Sequence, residues 1–458
     1  MRVRGGALAF AAHGRYDGWP CAGGLAVREG AVGRAGARTT NRDICAVGAA
    51  RAMRMVFVAG LVLAVLLWCG GVRAAEAPRP DPLQGDGRVS GFYAWEGTIP
   101  ATPGRLLRQE RLETTLGLAH AGAQVRMLYS STDGIDGHSA VAVSGLFFMP
   151  KGEPPEGGWP LLAWAHETTG MADVCAPSWS GYSLAVETFL NTWLARGFAV
   201  VATDYQGLGT PGAHPYMAVR PGAYGVLDSI RAVQGAFPGV GRKVLLVGYS
   251  QGAGAVFEAA AVQRSYAAEL DIRGTIATGI PFSAEETAAA RRAIGGLTAS
   301  NLVYPLLIGL VAQQVDPSLR AADMFAEPAL GLFELNRRGC VWQLVLEVLA
   351  ARVTRGEGVR PGYAKALDAI APLLAYSSMR LPQPLFVGIG AEDRDAPARL
   401  QLALVKQSCE AGTTVEAHLY AGMSHFAAVN RSVADAIRFA DRVLGGEAVS
   451  PVCDPTAE

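Results

Sequence analysis

The chain has 458 residues, of which 50% are hydrophobic and 17% are charged, and its formal net charge is zero. This length suits one large domain with an insertion, or two domains. Because there is no basic excess to neutralise phosphates, the composition removes the electrostatic basis for nucleic-acid binding, and we expect no nucleic-acid partner.

The N-terminal part carries a pattern typical of a signal peptide. Two arginines precede the apolar run Val56–Trp68, and the small residues Val72 and Ala74 follow it at the spacing of a cleavage site. The run is short for a transmembrane helix, although an uncleaved anchor is the alternative. We therefore interpret residues 53–74 as a signal peptide and residues 1–52 as a disordered or untranslated extension. The mature protein is expected to be secreted or periplasmic.

The rest of the chain alternates short apolar strands with helices, which is typical of a parallel sheet covered on both faces. We expect a doubly wound α/β core, with a mostly parallel central sheet and helices on both faces, built from residues 75–281 and 379–458. Residues 282–378 interrupt the alternation, begin with a capping-box pattern at Ser283 and Glu286, and are interpreted as an inserted helical cap or lid. Apolar runs predict strands at 141–149, 160–165, 198–202, 243–247, 274–278, 384–388 and 414–420. Helical spacing predicts helices at 182–196, 223–237, 251–268, 396–411 and 426–444.

One segment of the insertion, Leu302–Ala312, is nearly uncharged and contains Pro305 and Gly309. Two interpretations are open for it: a lid that contacts lipid, or a buried core helix of the cap. Because proline and glycine are costly inside a helix, a segment that must reorient tolerates them better than a buried helix does. The lid interpretation predicts that Leu306 and Leu310 contact lipid.

The strongest motif is G-x-S-x-G, formed by Gly248, Tyr249, Ser250, Gln251 and Gly252. It follows an apolar strand pattern and precedes an alanine-rich helical pattern, which is the context of a nucleophile elbow. The small flanking residues permit a strained turn that lifts the serine hydroxyl above the sheet. An ordinary tight turn is the alternative, and we predict that Ser250 is a nucleophile.

A serine hydroxyl needs a general base that is oriented by a carboxylate, and in this arrangement the order along the chain is serine, acid, histidine. Of the two histidines after Ser250, His418 lies within a predicted strand, whereas His425 lies in a loop between a strand and a helix. The acid should follow the preceding predicted strand, where Asp393 is the first candidate and Asp395 the second. We predict His425 as the base and Asp393 as the acid.

Two backbone N–H groups are expected to form an oxyanion hole. One belongs to Gln251, the residue after the predicted nucleophile, and the other should come from a loop after an earlier strand. Thr168 is the predicted donor in that loop. His166 precedes the serine, so its expected role is to hold the loop by a hydrogen bond.

Residues 166–178, with the sequence HETTGMADVCAPS, resemble the H-G-T-T-G…C-A-P-S signature of the secretory lipase family. Residues 204–216 and the elbow at 248–252 also resemble that family, and the resemblance spans roughly residues 93–453. It implies a secreted esterase or lipase of the α/β-hydrolase fold, with a helical cap inserted between nucleophile and acid, and no cofactor.

Carried over position by position, the resemblance supports the same three residues as the motif analysis. The sequence departs from the family pattern at Glu167, where the family usually has glycine. Three residues of the second family motif, residues 204–216, are expected to shape a loop rather than to contact substrate. The residues supported as catalytic are Ser250, Asp393 and His425, and those expected to shape the loop are Asp204, Tyr205 and His214.

Cleavage after Ala74 would leave four cysteines, an even number that suggests two disulfides in an exported protein. Three pairings are possible. We favour two pairings that each tie a loose segment to a structured one. Cys409–Cys453 would tie the tail to the last helical region, and Cys175–Cys340 would tie a loop to the insertion. Buried free thiols are the alternative, and no cysteine or histidine spacing suggests zinc or another metal.

These patterns predict a secreted serine ester hydrolase, a lipase or carboxylesterase that cleaves acyl esters through an acyl-enzyme. Its expected partner is a small-molecule or lipid ester, with contact to a lipid interface through the cap. The alternatives are a short-chain carboxylesterase or polyester hydrolase without interfacial activation, and a serine peptidase on the same residues. A catalytically inactive binding protein of the same fold is a further alternative.

Overall fold

The computed structural model describes residue 85 and residues 88–112, 116–282 and 300–458. The predicted extension at 1–52, the predicted signal peptide at 53–74 and the predicted capping box at Ser283 and Glu286 lie outside the described residues. None of the helices in the described part of the chain has the length and hydropathy needed to cross a bilayer.

The described strands form one nine-stranded sheet in the order β1-β2-β3-β5-β4-β6-β7-β8-β9. Pairing is antiparallel from β1 through β2 and β3 to β5, and parallel across the rest of the sheet. The mostly parallel sheet predicted from the sequence is thus confirmed. The strands are β1 Leu106–Arg111, β2 Ala121–Thr132, β3 Ala140–Pro150, β4 Trp159–Ala165, β5 Ala199–Thr203, β6 Val240–Tyr249, β7 Asp271–Thr278, β8 Leu385–Gly390 and β9 Val415–Tyr420.

Helices flank the sheet and also form a separate group. Those between and after the strands are α1 Pro177–Ser180, α2 Leu184–Ala195, α3 Val219–Ala236, α4 Gln251–Tyr266, α11 Ala398–Glu410, α12 His425–Arg431 and α13 Val433–Gly445. The group called the cap below comprises α5 Ser300–Val315, α6 Ala321–Met324, α7 Glu327–Asn336, α8 Val341–Ala351, α9 Arg355–Gly358 and α10 Tyr363–Leu374.

The parallel strands are buried on both faces, which explains why they appear in the sequence as continuous apolar runs. Along β4, Leu161 belongs to a hydrophobic cluster with residues of α3, α4 and α11. The next residue, Leu162, belongs to a second cluster with residues of α2 and α13. Because successive side chains of a strand point to opposite faces, helices pack on both sides of the sheet.

Two strands and one helix boundary were not predicted from the sequence. Strand β1 is a sheet edge whose second half is exposed, and β2 begins with exposed residues, so neither is a continuous apolar run. The single helix predicted at 426–444 is two helices, α12 and α13, separated at Ser432.

Helix α5 corrects the lid prediction for Leu302–Ala312. Leu306 and Leu310, predicted to contact lipid, are buried in the hydrophobic cluster of the cap. A Cβ placed on Gly309 would lie 2.6 Å from the ring of Phe325, so glycine is required there by close packing rather than by mobility. In this structure the segment is the core helix of the cap, which was the other open interpretation.

Both favoured cysteine pairings are present. Cys175 and Cys340 form a disulfide that joins the segment after β4 to the residue preceding α8. Cys409 and Cys453 form the second, which joins the C-terminal segment to α11. Each bond closes a long loop, which lowers the entropy of the unfolded chain and so stabilises the fold.

The packing at Gly309 predicts that Gly309→Ala destabilises the protein by about 1–3 kcal/mol, because the added methyl group must displace the Phe325 ring. Gly331 on α7 is exposed and has nothing within 4 Å of an added Cβ, so it provides a matched control. Gly331→Ala should stabilise the protein by about 0.4–1 kcal/mol through the unfolded chain. Equilibrium urea unfolding of both variants measures the difference. Equal effects at the two positions would contradict a packed α5.

Candidate active site

Ser250 lies on a tight turn between β6 and α4 with φ of 55°, a left-handed conformation that is unusual for a residue other than glycine. Two neighbouring glycines make this turn possible. A Cβ on Gly248 would lie 2.2 Å from the Gly252 carbonyl oxygen, and one on Gly252 would lie 1.9 Å from the Ala165 carbonyl oxygen. The turn therefore has the geometry expected of a nucleophile elbow.

A chain of hydrogen bonds joins the three residues predicted as catalytic. The distance from His425 Nε2 to Ser250 Oγ is 2.8 Å, and that from His425 Nδ1 to Asp393 Oδ2 is 2.7 Å. His425 and Asp393 are buried, whereas Ser250 is partly exposed. With the imidazole proton on Nδ1, Nε2 can accept the proton of the serine hydroxyl.

The carboxylate of Asp393 is held by four hydrogen bonds. Its Oδ1 accepts from the backbone N–H groups of Asp395 at 3.0 Å and Ala396 at 2.8 Å. Its Oδ2 accepts from Gln401 Nε2 at 2.9 Å as well as from His425. These bonds fix the orientation of the carboxyl group. Asp395, the second candidate acid, contributes only its backbone N–H to this network.

Gln401 was not identified from the sequence. It lies on α11, eight residues after Asp393, and its side chain also donates to the Ala396 carbonyl oxygen. Nothing in the local pattern distinguishes a buried glutamine that binds a loop from one on a solvated helix face.

The strands bring these residues together because β6, β8 and β9 run in parallel and end at the same edge of the sheet. Ser250 N donates to the carbonyl oxygen of Thr278 at the end of β7. Glu392 N donates to the carbonyl oxygen of Met423, which joins the loop that follows β8 to the loop that follows β9.

The loop after β4 is held by buried aromatic and imidazole groups. His166 Nδ1 lies 2.6 Å from the Glu167 carbonyl oxygen, and Tyr205 Oη donates to the His166 carbonyl oxygen at 2.7 Å. Burial lowers the pKa of His166 to about 4, so the ring is neutral and donates from Nδ1. The Thr168 hydroxyl pairs with Tyr216 Oη at 3.0 Å.

The second family motif shapes the surrounding loops. Asp204 accepts from Ser144 Oγ at 2.6 Å, from Ser178 N at 3.0 Å and from Ser178 Oγ, so it links the two family segments. Burial raises its pKa to about 6.

His214 Nδ1 bonds the Gln206 carbonyl oxygen, and its Nε2 lies 3.2 Å from Gln251 Nε2. His214 therefore accepts from the side chain of the residue that follows Ser250.

A cavity of about 450 Å³ opens above this arrangement. Its walls come from the loop after β4, from the turns at Ser250 and His425, and from cap helices α5 and α8. The walls include Thr168, Tyr304, Trp342 and Phe426. Such a site, mostly apolar with a few converging polar groups, suits an organic ester.

Outside the cavity, ligand atoms of His418, Asp435 and Glu458 lie within 4.8 Å of one another. His418 is already bonded to Glu458 and Glu416, and Asp435 is bonded to Tyr420 and Arg438. The mutual bonding of these groups accounts for their proximity, so we assign no metal to them.

The model of the secretory lipase family matches residues 178–450, more than half of the chain. Lipase A of Moesziomyces aphidis is 24% identical over 415 residues, which cover 83% of this chain and 84% of that protein. The secreted triacylglycerol lipase LIP7 of Malassezia globosa is 24% identical over 416 residues, which cover 81% of this chain and 85% of that protein.

Solved structures of similar fold include lipase A of Candida antarctica in its closed state, with a TM-score of 0.62 and 21% identity, covering 83% of this chain and 90% of that one. The rice cell wall degrading esterase LipA of Xanthomonas oryzae has a TM-score of 0.60 and 18% identity, covering 76% of this chain and all of its own. These neighbours confirm the α/β-hydrolase fold. Taken with the match of the family model, the fold and the arrangement at Ser250 lead to one conclusion: the chain belongs to the secretory lipase family and is a carboxylic ester hydrolase.

Proposed function

We propose that the chain is a secreted lipase that cleaves acyl esters through an acyl-enzyme on Ser250, with His425 as general base and Asp393 as the acid that orients it. The observation that carries this proposal is the unbroken hydrogen-bonded chain from Asp393 through His425 to Ser250. Membership in a secretory family supports export, and we propose residues 53–74 as the signal peptide and the helical insertion at 282–378 as the cap over the site.

In the first half of the reaction, His425 Nε2 takes the proton of Ser250 as its Oγ attacks the ester carbonyl carbon. The bond between carbonyl carbon and alcohol oxygen then breaks, and the alcohol leaves with the proton from His425. In the second half His425 Nε2 takes a proton from a water molecule as the water oxygen attacks the acyl carbon. The bond from that carbon to Ser250 Oγ then breaks, and Oγ takes the proton back from His425 as the acid is released.

The negative charge that develops on the carbonyl oxygen needs hydrogen-bond donors placed in advance. We propose the backbone N–H groups of Gln251 and Thr168. Gln251 is the first residue of α4, so its N–H is free of an intrahelical partner and lies at the positive end of the helix dipole. Thr168 lines the same cavity as Ser250, and its side chain is anchored by Tyr216.

Removal of the nucleophile tests this function directly. Ser250→Ala should lower turnover of p-nitrophenyl butyrate by about a million-fold while the melting temperature stays close to that of the unchanged protein. Ser265→Ala, the same substitution at an exposed position near the far end of α4, is the control for effects on the helix. Substantial residual turnover by Ser250→Ala would assign the chemistry to another residue.

The surface around the cavity supports a lipid as the physical form of the substrate. On α8, Trp342, Leu346 and Leu349 are 54%, 66% and 56% exposed. Their spacing of four and three residues places them on one helix face. Phe426, 48% exposed, lies with its ring centroid 5.5 Å from that of Trp342. Trp342 and Phe426 also line the cavity, so the apolar face is continuous with its mouth.

We therefore propose that the cap meets a lipid surface through α8 rather than through the buried helix α5. Large apolar side chains in contact with water gain free energy when they enter a lipid interface. Docking through this face would bring the mouth of the cavity to the lipid. Contiguous exposed apolar faces mark contact sites, and the place of this one at the mouth of the cavity favours contact with the lipid that supplies the substrate.

The double variant Leu346→Ser/Leu349→Ser should lower activity on an emulsified long-chain triglyceride by about tenfold, since it removes apolar area that enters the interface. Hydrolysis of dissolved p-nitrophenyl butyrate should change much less. Ile135→Ser removes an exposed apolar side chain that is 44% accessible and lines a different cavity, and it provides the control. If both activities fall in parallel, or the control behaves as the double variant does, the lipid-contact proposal is wrong.

A further inference from the structure

The catalytic cavity contains a carboxyl group that the mechanism above does not use. Glu167 lies between His166 and Thr168 in the loop after β4, and it lines the same cavity as Ser250 and His425. Neither the hydrogen-bonded chain at Ser250 nor the proposed oxyanion donors account for a carboxyl group at this place.

The environment of Glu167 is unusual for a carboxylate. Its side chain is reached from the cavity, but Oε2 is shielded from solvent and has no hydrogen-bond partner among the described residues. Burial raises the pKa of Glu167 from its ordinary value of 4.5 to about 7, and a hydrogen bond from its own backbone N–H and the nearby His425 oppose part of that rise. A carboxyl that keeps its proton is a hydrogen-bond donor, whereas an ionised one is only an acceptor.

The titratable groups near Glu167 do not replace it as the group that titrates beside Ser250 near neutral pH. Burial raises the pKa of each nearby tyrosine well above its ordinary value, so these tyrosines stay neutral. The groups that interact electrostatically with Glu167 are His425 on α12, Tyr249 on β6, Tyr304 on α5, Tyr182 before α2 and Tyr205 after β5, and the cavity wall adds Glu392, Arg394 and Asp395.

We propose that protonated Glu167 turns its unpartnered carboxyl oxygen toward the bound ester and donates a hydrogen bond to the carbonyl oxygen, as a side-chain donor beside the N–H groups of Gln251 and Thr168. This inference rests on the proposed function of Ser250. The proton stays on Glu167 throughout, so no transfer step is added. Once ionised, the same group would place a negative charge against the developing oxyanion and oppose the reaction. Turnover should therefore decline as Glu167 loses its proton.

The test is the pH dependence of kcat for the full chain with p-nitrophenyl butyrate, read at the isosbestic wavelength of nitrophenol. The unchanged protein should lose kcat by up to about tenfold per pH unit above a pH of about 7. Glu167→Gln keeps a donor and cannot titrate, so its kcat should not decline between about pH 7 and pH 9. Glu167→Leu lacks the donor, and its kcat at pH 6 should fall by about tenfold or more with little change in KM.

Glu392→Gln removes another carboxyl of the cavity wall and should retain the decline at alkaline pH, whatever its absolute activity. If Glu167→Gln keeps the decline at the same pH as the unchanged protein, or Glu167→Leu matches its kcat at pH 6, the proposal is overturned. Failure of the proposed function would look different, because Ser250→Ala would then keep turnover at every pH.

A second measurement detects the proton on the Glu167 carboxyl without relying on catalysis. The stabilising effect of a raised carboxyl pKa is complete below the ordinary value and is lost as pH rises through about 7. The melting temperature of the unchanged protein should therefore fall relative to that of Glu167→Gln between about pH 5 and pH 8. Asp204 also titrates with a raised pKa, but it is common to both proteins and cancels in the difference. A difference that does not vary with pH would show that Glu167 is not buried as a protonated acid.

Discussion

The hydrogen-bonded chain from Asp393 through His425 to Ser250 joins three segments that are far apart in sequence and meet at one edge of the sheet. It depends on the parallel strands β6, β8 and β9, since only parallel neighbours end on the same side. Each member is then fixed locally: Ser250 by a turn that two glycines permit, and Asp393 by two backbone N–H groups and Gln401. The sheet supplies the approximate position, and these contacts supply the orientation.

The cap forms one wall of the cavity over the site and carries an apolar outer face, neither of which the sheet provides. Its core helix α5 is buried, whereas α8 turns Leu346 and Leu349 to solvent next to the cavity. The Cys175–Cys340 disulfide ties the start of α8 to the segment after β4. That bond holds the proposed lipid-facing helix close to the loop that carries Glu167 and Thr168.

Most features predicted correctly from the sequence have a local cause. Buried strands appear as apolar runs, and the glycines around Ser250 mark a turn that only small residues allow. The two disulfides join distant segments and were also predicted, because few cysteines leave few pairings, but packing between distant side chains could not be predicted. The burial of Leu306 depends on the packing of the cap around it, and the need for glycine at 309 depends on the ring of Phe325. The role of Gln401 depends on the packing of α11 beside Asp393. The edge strand β1 was not predicted, because its exposed polar residues do not form the apolar run that marks a buried strand, although it pairs with β2.

Turnover of Asp393→Asn beside that of Asp395→Asn shows whether Asp393 is the residue that orients His425 toward Ser250. Asparagine at 393 would favour the wrong imidazole tautomer and should lower kcat by about ten-thousand-fold with little loss of folding. Asp395 contributes a backbone N–H that asparagine retains, so Asp395→Asn should have a small effect. The opposite ranking would mean that Asp393 does not orient His425 and would assign the acid to Asp395.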